Sequence, residues 1–171
     1  MTTSEIKKFE LEGILLKNLS VLPDERGFFV EAIRKDWKDL FDEFISQANL
    51  SLSYPGMIRA WHRHARHQID YFVVLKGAIK IVAYDGNENS KTFSKLVEII
   101  SSADRLQIVR IPGHYWHGTK TLGTEPSLTL YFVNNLYDYH SPDEERREWN
   151  DNSIIDPKTN QPYDWNFPPH K

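Results

Sequence analysis

Over most of its length the chain alternates apolar and polar residues with the period of a β-strand, in which successive side chains point to opposite faces. QANLSLS (47–53), AIKIVAYD (78–85) and Leu128 to Val133 each show the pattern, and residues 93–99 and 105–111 read as two more strands joined at Ser101-Ser102. Tyr71 to Leu75 is wholly apolar or aromatic, as a strand covered on both faces would be. Residues 6–23 alternate weakly and end at Leu22-Pro23, which predicts an edge strand or arm before a turn. DERGFFVEAIR (24–34) opens on a turn at Asp24 and Gly27. It continues as a strand with Phe29 and Glu31 on one face, Phe28 and Val30 on the other. Asp85-Gly86-Asn87 and Thr124-Glu125-Pro126 supply turns between strands.

The pattern changes in two places. Trp37, Leu40, Phe41, Phe44 and Ile45 fall at helical spacing, predicting a short amphipathic helix with Asp36 as its N-cap. Ser141-Pro142-Asp143-Glu144 reads as a second helix start, with Ser141 at the cap and Pro142 in the first turn. The last twenty residues predict an irregular tail (about 150–171) tied down by Trp149, Tyr163, Trp165 and Phe167. Many short strands with one or two short helices give an all-β, antiparallel sandwich or barrel, a single domain spanning 1–171 with an N-terminal arm over about 1–23.

Composition narrows the function classes. The 171 residues, 40% apolar and 13% aromatic, suffice for one well-filled core. A net charge of -3 with dispersed lysines and arginines leaves no basic patch for nucleic acid or an anionic membrane. Without cysteine there is no disulfide framework and no thiolate chemistry. MTTSEIKKFELEG has no apolar signal region and no later run approaches a membrane span, so a soluble, cytoplasmic protein is expected.

The chemistry concentrates in Gly56 to Gly77, GMIRAWHRHARHQIDYFVVLKG. His62 and His64 share a face of an extended segment, Asp70 can join them after a loop, and His67 reads as a solvated loop residue. IPGHYWHG (111–118) brings His114 and His117 to the start of another strand.

The spacing Gly56-x5-His62-x-His64-x5-Asp70-x6-Gly77, followed by Pro112-x-His114-x2-His117, resembles the two motifs of the cupin superfamily, which implies a small jelly roll with the site in its mouth. Read that way, His62, His64, Asp70 and His117 form a three-histidine, one-carboxylate set suited to a divalent transition metal. A second resemblance spans nearly the whole chain. DERGFFVE (24–31), QANLSLS (47–53), IRAWH (58–62), IPGHYWHG (111–118) and YHSPDEERREWND (139–151) are similar, in order, to segments of the dTDP-4-dehydrorhamnose 3,5-epimerase family, a metal-independent branch of the cupins.

This second resemblance implies a homodimer that binds a dTDP-4-keto-6-deoxy sugar and moves protons alpha to the ketone, with no cofactor. It assigns His62 as the base and a tyrosine as the acid. Tyr131 fills that place if the loop before Ser141 is lengthened; a gapless count falls on Asn134, and Tyr131 also suits the core. Arg26 and Arg59 carry forks that fit diphosphate oxygens. Gln47, Asn49 and Glu31 match nucleotide contacts, Phe29 offers a face to the base, and His117 faces the sugar. Plain structural roles stay open to Arg26 at a turn, to Glu31 beside Arg34, and to Gln47 and Asn49. The chain departs from the family at Asp70, where a lysine stands seven residues before the glycine, and it shows no copy of the family's late acidic residue. Three readings follow: a sugar-nucleotide epimerase or isomerase, acting at one carbon or two; a metal-dependent cupin enzyme; and a nucleotide-sugar-binding cupin without catalysis.

Overall fold

The alternating pattern resolves into two facing antiparallel sheets. The computed structural model describes residues 5–41 and 43–166, and among them the regular elements are all strands. They are β1 (Ile6–Lys8), β2 (Leu15–Asn18), β3 (Val21–Asp24), β4 (Gly27–Val30), β5 (Gln47–Ser53), β6 (Ile58–Arg63), β7 (Ile69–Lys76), β8 (Ala78–Tyr84), β9 (Leu96–Ser102), β10 (Gln107–Pro112), β11 (Trp116–Leu122), β12 (Ser127–Val133), β13 (Glu145–Arg146), β14 (Ile155–Asp156) and β15 (Gln161–Pro162). One sheet runs β1-β2-β10-β7-β12-β5 and the other β13-β6-β11-β8-β9, while β3–β4 and β14–β15 form separate hairpins. This is the expected all-β sandwich.

Three apolar layers hold it together. Phe72 and Val74 of β7, Ile79, Ile81 and Ala83 of β8, and Val109 and Ile111 of β10 fill the space between the sheets. Tyr71, Val73 and Ile108 turn to the outer face of the six-stranded sheet, where Leu40 and Phe41 cover them. The run from Tyr71 to Val74 is therefore buried on both faces, which is why it carries no polar residue. On the outside of the five-stranded sheet, Ile154, Tyr163 and Trp165 of the tail pack on Trp61, Val82 and Trp116.

Among the described residues neither expected helix forms. Residues 36–41 make one turn, closed by Leu40 and Phe41 amides donating to the Trp37 carbonyl (2.9 Å each), and it stops there. The Asp36 carboxylate does not cap; the Arg34 guanidinium holds it at 2.8 and 2.7 Å. Trp37, Leu40, Phe41 and Ile45 still reach the core, whereas Phe44 is exposed, so burial set their spacing without a continued helix. At 141–146, Asp143 accepts the Ala65 and Arg66 amides (2.9 and 2.8 Å), and the chain then runs into β13 beside β6. The N-terminal stretch is not a free arm either: β1 and β2 lie within the large sheet, and the projecting element is the β3–β4 hairpin. Of the tail anchors, Tyr163 and Trp165 are buried, Trp149 is exposed, and Phe167 lies outside the described residues.

Candidate active site

Between the sheets, at one end, opens a cavity of about 970 Å³ walled by β5, β6, β7 and β12 and by the stretch from 135 to 147. That is room for a nucleotide-sized ligand. His62 lies on its wall from β6, opposite His117 of β11 and Arg146 of β13 in the strand registers. Its ring is half-buried, with its centroid 4.2 Å from that of His117 and 5.7 Å from that of His64. Burial holds the His62 imidazole well below its ordinary value, the nearby His117, His64 and Arg146 add to this, and the opposing pull of Asp70 does not restore it. At neutral pH the ring is uncharged and able to take a proton.

Beside it lies a buried polar cluster, of which His64, Gln68 and Asp70 reach the cavity wall. The Asp70 carboxylate receives His117 Nε2 at 3.0 Å and the Gln68 amide at 3.0 Å, and His64 Nε2 stands 3.8 Å away. Burial pushes the Asp70 carboxyl up, but the His117 hydrogen bond and the three imidazoles outweigh it and leave it below the usual carboxylate value. His117 Nδ1 faces the Tyr115 carbonyl at 2.9 Å, and His64 Nδ1 faces the Asp143 carbonyl. A carbonyl only accepts, so both Nδ1 atoms carry hydrogen; His117 Nε2 aims at Asp70, and His64 Nε2 accepts from the Gln68 amide at 3.2 Å. His67 is exposed, as expected for a loop residue.

Glycine makes this proximity feasible. A Cβ at Gly118 would lie 2.3 Å from the Ala60 Cβ and 2.7 Å from the Arg59 carbonyl, so only glycine lets β11 bring His117 against β6. Gly118→Ala is expected to destabilise the fold by about 1–3 kcal/mol, read as a lower denaturant midpoint.

Tyr131 enters from β12, on the facing sheet, its ring 5.7 Å from that of Phe72. Burial, then the charge of Asp70, raises its phenol above the ordinary value, which keeps the proton on. Asn134, the gapless alternative, is committed elsewhere: its carbonyl accepts the Ile69 amide at 2.7 Å and its NH2 donates to the His67 carbonyl at 3.1 Å. Gln47, Asn49 and Arg59 line the cavity. Gln47 donates to Asn49 at 2.7 Å, and Arg59 donates to the Ser53 hydroxyl at 2.8 Å.

Four of the expected site residues lie off the cavity within a single chain. Arg26, Phe29 and Glu31 do not reach the cavity. Arg26 pairs with Asp24 at 2.6 Å, Glu31 pairs with Arg34 at 2.5 Å, and Phe29 is 62% exposed on or beside the hairpin. His117 does not face the cavity; it is fully buried behind His62 with both nitrogens engaged. Sequence reasoning also missed Gln68, Asp143 and Arg146. Gln68 lay two residues from Asp70 and was findable, but the other two depended on β13 returning to β6, which no local signal announces.

The model of the dTDP-4-dehydrorhamnose 3,5-epimerase family matches residues 8–157. The probable low-salt glycan biosynthesis epimerase Agl13 of Haloferax volcanii is 43% identical over 136 residues, 80% of this chain and 86% of that protein. Among solved structures, the dTDP-6-deoxy-D-glucose-3,5-epimerase of Legionella pneumophila in complex with dTDP-4-keto-L-rhamnose superposes with a TM-score of 0.78 at 25% identity, covering 88% of this chain and 80% of that one. The dTDP-4-dehydrorhamnose 3,5-epimerase of Bacillus anthracis, with TDP and pyrophosphate bound, gives a TM-score of 0.79 at 26% identity over 90% and 89%. With its sandwich, the cavity between its sheets and a matched segment that takes in β2 to β14, this chain belongs to the dTDP-4-dehydrorhamnose 3,5-epimerase family.

Proposed function

We propose that the cavity binds a dTDP-linked 4-keto-6-deoxy sugar and that His62 removes a proton from a carbon flanking the ketone, with Tyr131 delivering one to the other face. One observation carries this reading: a neutral imidazole and a protonated phenol line the same cavity from facing sheets. Removal from one side and return from the other inverts the carbon, and a weakly acidic C–H needs a positioned base. The exchange is redox-neutral, and the family performs it without a cofactor. Arg59 is available to the diphosphate, and Gln47 and Asn49 to the nucleoside through their amides.

Deuterium wash-in from heavy water into dTDP-4-keto-6-deoxyglucose, followed by proton NMR, tests the reading. Label at the carbon on one or both sides of the ketone is the expected result. Binding of dTDP without label would leave a nucleotide-sugar-binding protein, and neither binding nor label would remove the reading altogether. Tyr131→Phe is expected to keep the wash-in, since His62 is intact, while inverted product falls about 10²-fold.

The functional unit proposed is a homodimer working in the cytoplasm. Phe28 and Phe29 are 65% and 62% exposed on the hairpin, and Leu50 and Leu52 are 64% and 51% exposed on β5, the open edge of the large sheet. A hairpin lying on the partner would cover both apolar sets. It would also carry Arg26, Phe29 and Glu31 towards the partner's cavity. Light scattering at micromolar concentration should give twice the chain mass, and Phe28→Asp with Phe29→Asp should reduce it to one chain.

A further inference from the structure

We propose that His64, Asp70 and His117 hold a divalent transition metal ion whose open side faces the cavity beside His62. The inference rests on the epimerase reading for what the ion does, and on the buried cluster alone for the ion's presence. It departs from the family at the one place where this chain does, Asp70.

Donor atoms of His62, His64, Asp70 and His117 all lie within 4.8 Å of one another, deep in the wall of the cavity. From the Asp70 Oδ2 atom, His117 Nε2 is 3.0 Å away and His64 Nε2 3.8 Å. Ligands about 2.0–2.1 Å from a tetrahedral ion sit roughly 3.3 Å apart, so small side-chain adjustments admit one. The surroundings are set for it as well. Metal-binding histidines characteristically donate their other ring N–H to a carbonyl or carboxylate, which fixes the tautomer and the ring plane. His117 does so to Tyr115 and His64 to Asp143, and the Gln68 amide, 3.0 Å from Asp70, gives up its 3.2 Å contact with His64 Nε2 when the ion binds. His62 has no such anchor: among the described residues no hydrogen bond fixes its ring, although its donor atom is near. The same comparison that selects three ligands therefore leaves His62 as the base.

Two nitrogens and a carboxylate oxygen suit zinc, cobalt, nickel, iron or manganese in the divalent state, and not a hard ion such as calcium, which prefers oxygen. The chemistry supplies a reason for the exchange at position 70. Proton abstraction places negative charge on the ketone oxygen, and the family meets it with a lysine. An anion at that position would oppose the reaction unless it carried a cation of its own. A metal-bearing Asp70 restores positive charge at the oxygen, which binds the ion's open position as the ketone is polarised. No electron is transferred, and the proton goes to His62.

The test begins with tag-free protein purified without added metal, assayed by inductively coupled plasma mass spectrometry, where close to one transition-metal ion per chain is expected. Chelator-stripped protein titrated with cobalt(II) should then develop the intense visible bands of a four- or five-coordinate site. Asp70→Asn, nearly isosteric, and His64→Gln should weaken cobalt affinity by more than the roughly 10–100-fold that loss of an outer partner costs, with circular dichroism confirming that both fold. His62→Asn should keep the ion. Wash-in by stripped protein should fall by 10²-fold or more and return with metal, as loss of oxyanion stabilisation predicts. Cobalt(II) retaining the pale spectrum of its hexaaqua form would show a hydrogen-bonded cluster only and overturn the site. Loss of the ion in His62→Asn would overturn the division between base and ligands. Full wash-in after stripping would overturn the ion's role while leaving the epimerase reading intact, and a bound ion without wash-in would support the site while removing the epimerase reading.

Discussion

His62→Asn is expected to slow deuterium wash-in into a dTDP-4-keto-6-deoxy sugar by about 10²–10⁴-fold, the contribution of a positioned general base. Asparagine, though smaller, keeps a polar group near the Nδ1 position and has no basicity. Calorimetric binding of dTDP should be little changed, because Gln47 and Asn49 lie on β5 and Arg59 stands three residues before His62 on β6, all unaltered by the substitution. The expectation rests on where the ring sits: half-buried, uncharged, and on the cavity wall, while His117 is turned to Asp70 and His64 is held between the Asp143 carbonyl and the Gln68 amide. Wild-type wash-in surviving in this variant would take the base role from position 62, whatever else the cavity binds.

Trp165→Ala is expected to destabilise the protein by about 3–5 kcal/mol, measured by chemical denaturation of the full chain. Its indole is 1% exposed and packs with its centroid 4.8 Å from that of Trp61 and, edge to face, 5.3 Å from that of Tyr163, so its loss opens a cavity beside two other large rings. A domain's whole margin is about 5–15 kcal/mol, so this single change removes a large share of it. Trp61 precedes His62 on β6, and its outward ring is clamped by the tail while the next residue points into the cavity. Loosening the tail should therefore also lower activity in the fraction that remains folded. Trp165→Phe, which keeps a ring in place, should recover much of both.

The strands were legible because burial on alternate or both faces writes itself directly into residue type, as QANLSLS does over β5 with its bounds at 47 and 53. The turn at 36–41 was misread as a helix because its apolar residues answer to the sheet they cover, and that demand mimics a 3.6-residue repeat over so short a span. The site was legible in part. His62, Tyr131, Gln47 and Asn49 lie on strand faces that alternation identifies, whereas Arg59, out of phase with His62, accompanies a register shift between β6 and β11; all five line the cavity. His117 was placed on the correct strand but at the wrong depth, since its alternation fixes the face and not how far Gly118 lets that strand approach β6. Arg26, Phe29 and Glu31 could not be placed from one chain, because the hairpin that carries Arg26 and Phe29 belongs to neither main sheet.

The pairing of β13 with β6 has a temporal consequence. Arg63 meets Glu145 at a separation of 82 residues, and the Trp61 and Arg147 backbones exchange hydrogen bonds of 3.0 and 3.1 Å. The strand bearing His62 thus gains its last neighbour only when a distant stretch of polypeptide arrives, and closures of that span come late and slowly in folding. On the ribosome, a nascent chain halted short of residue 145 would display β6 with an open row of amides and carbonyls, the kind of margin that recruits other chains.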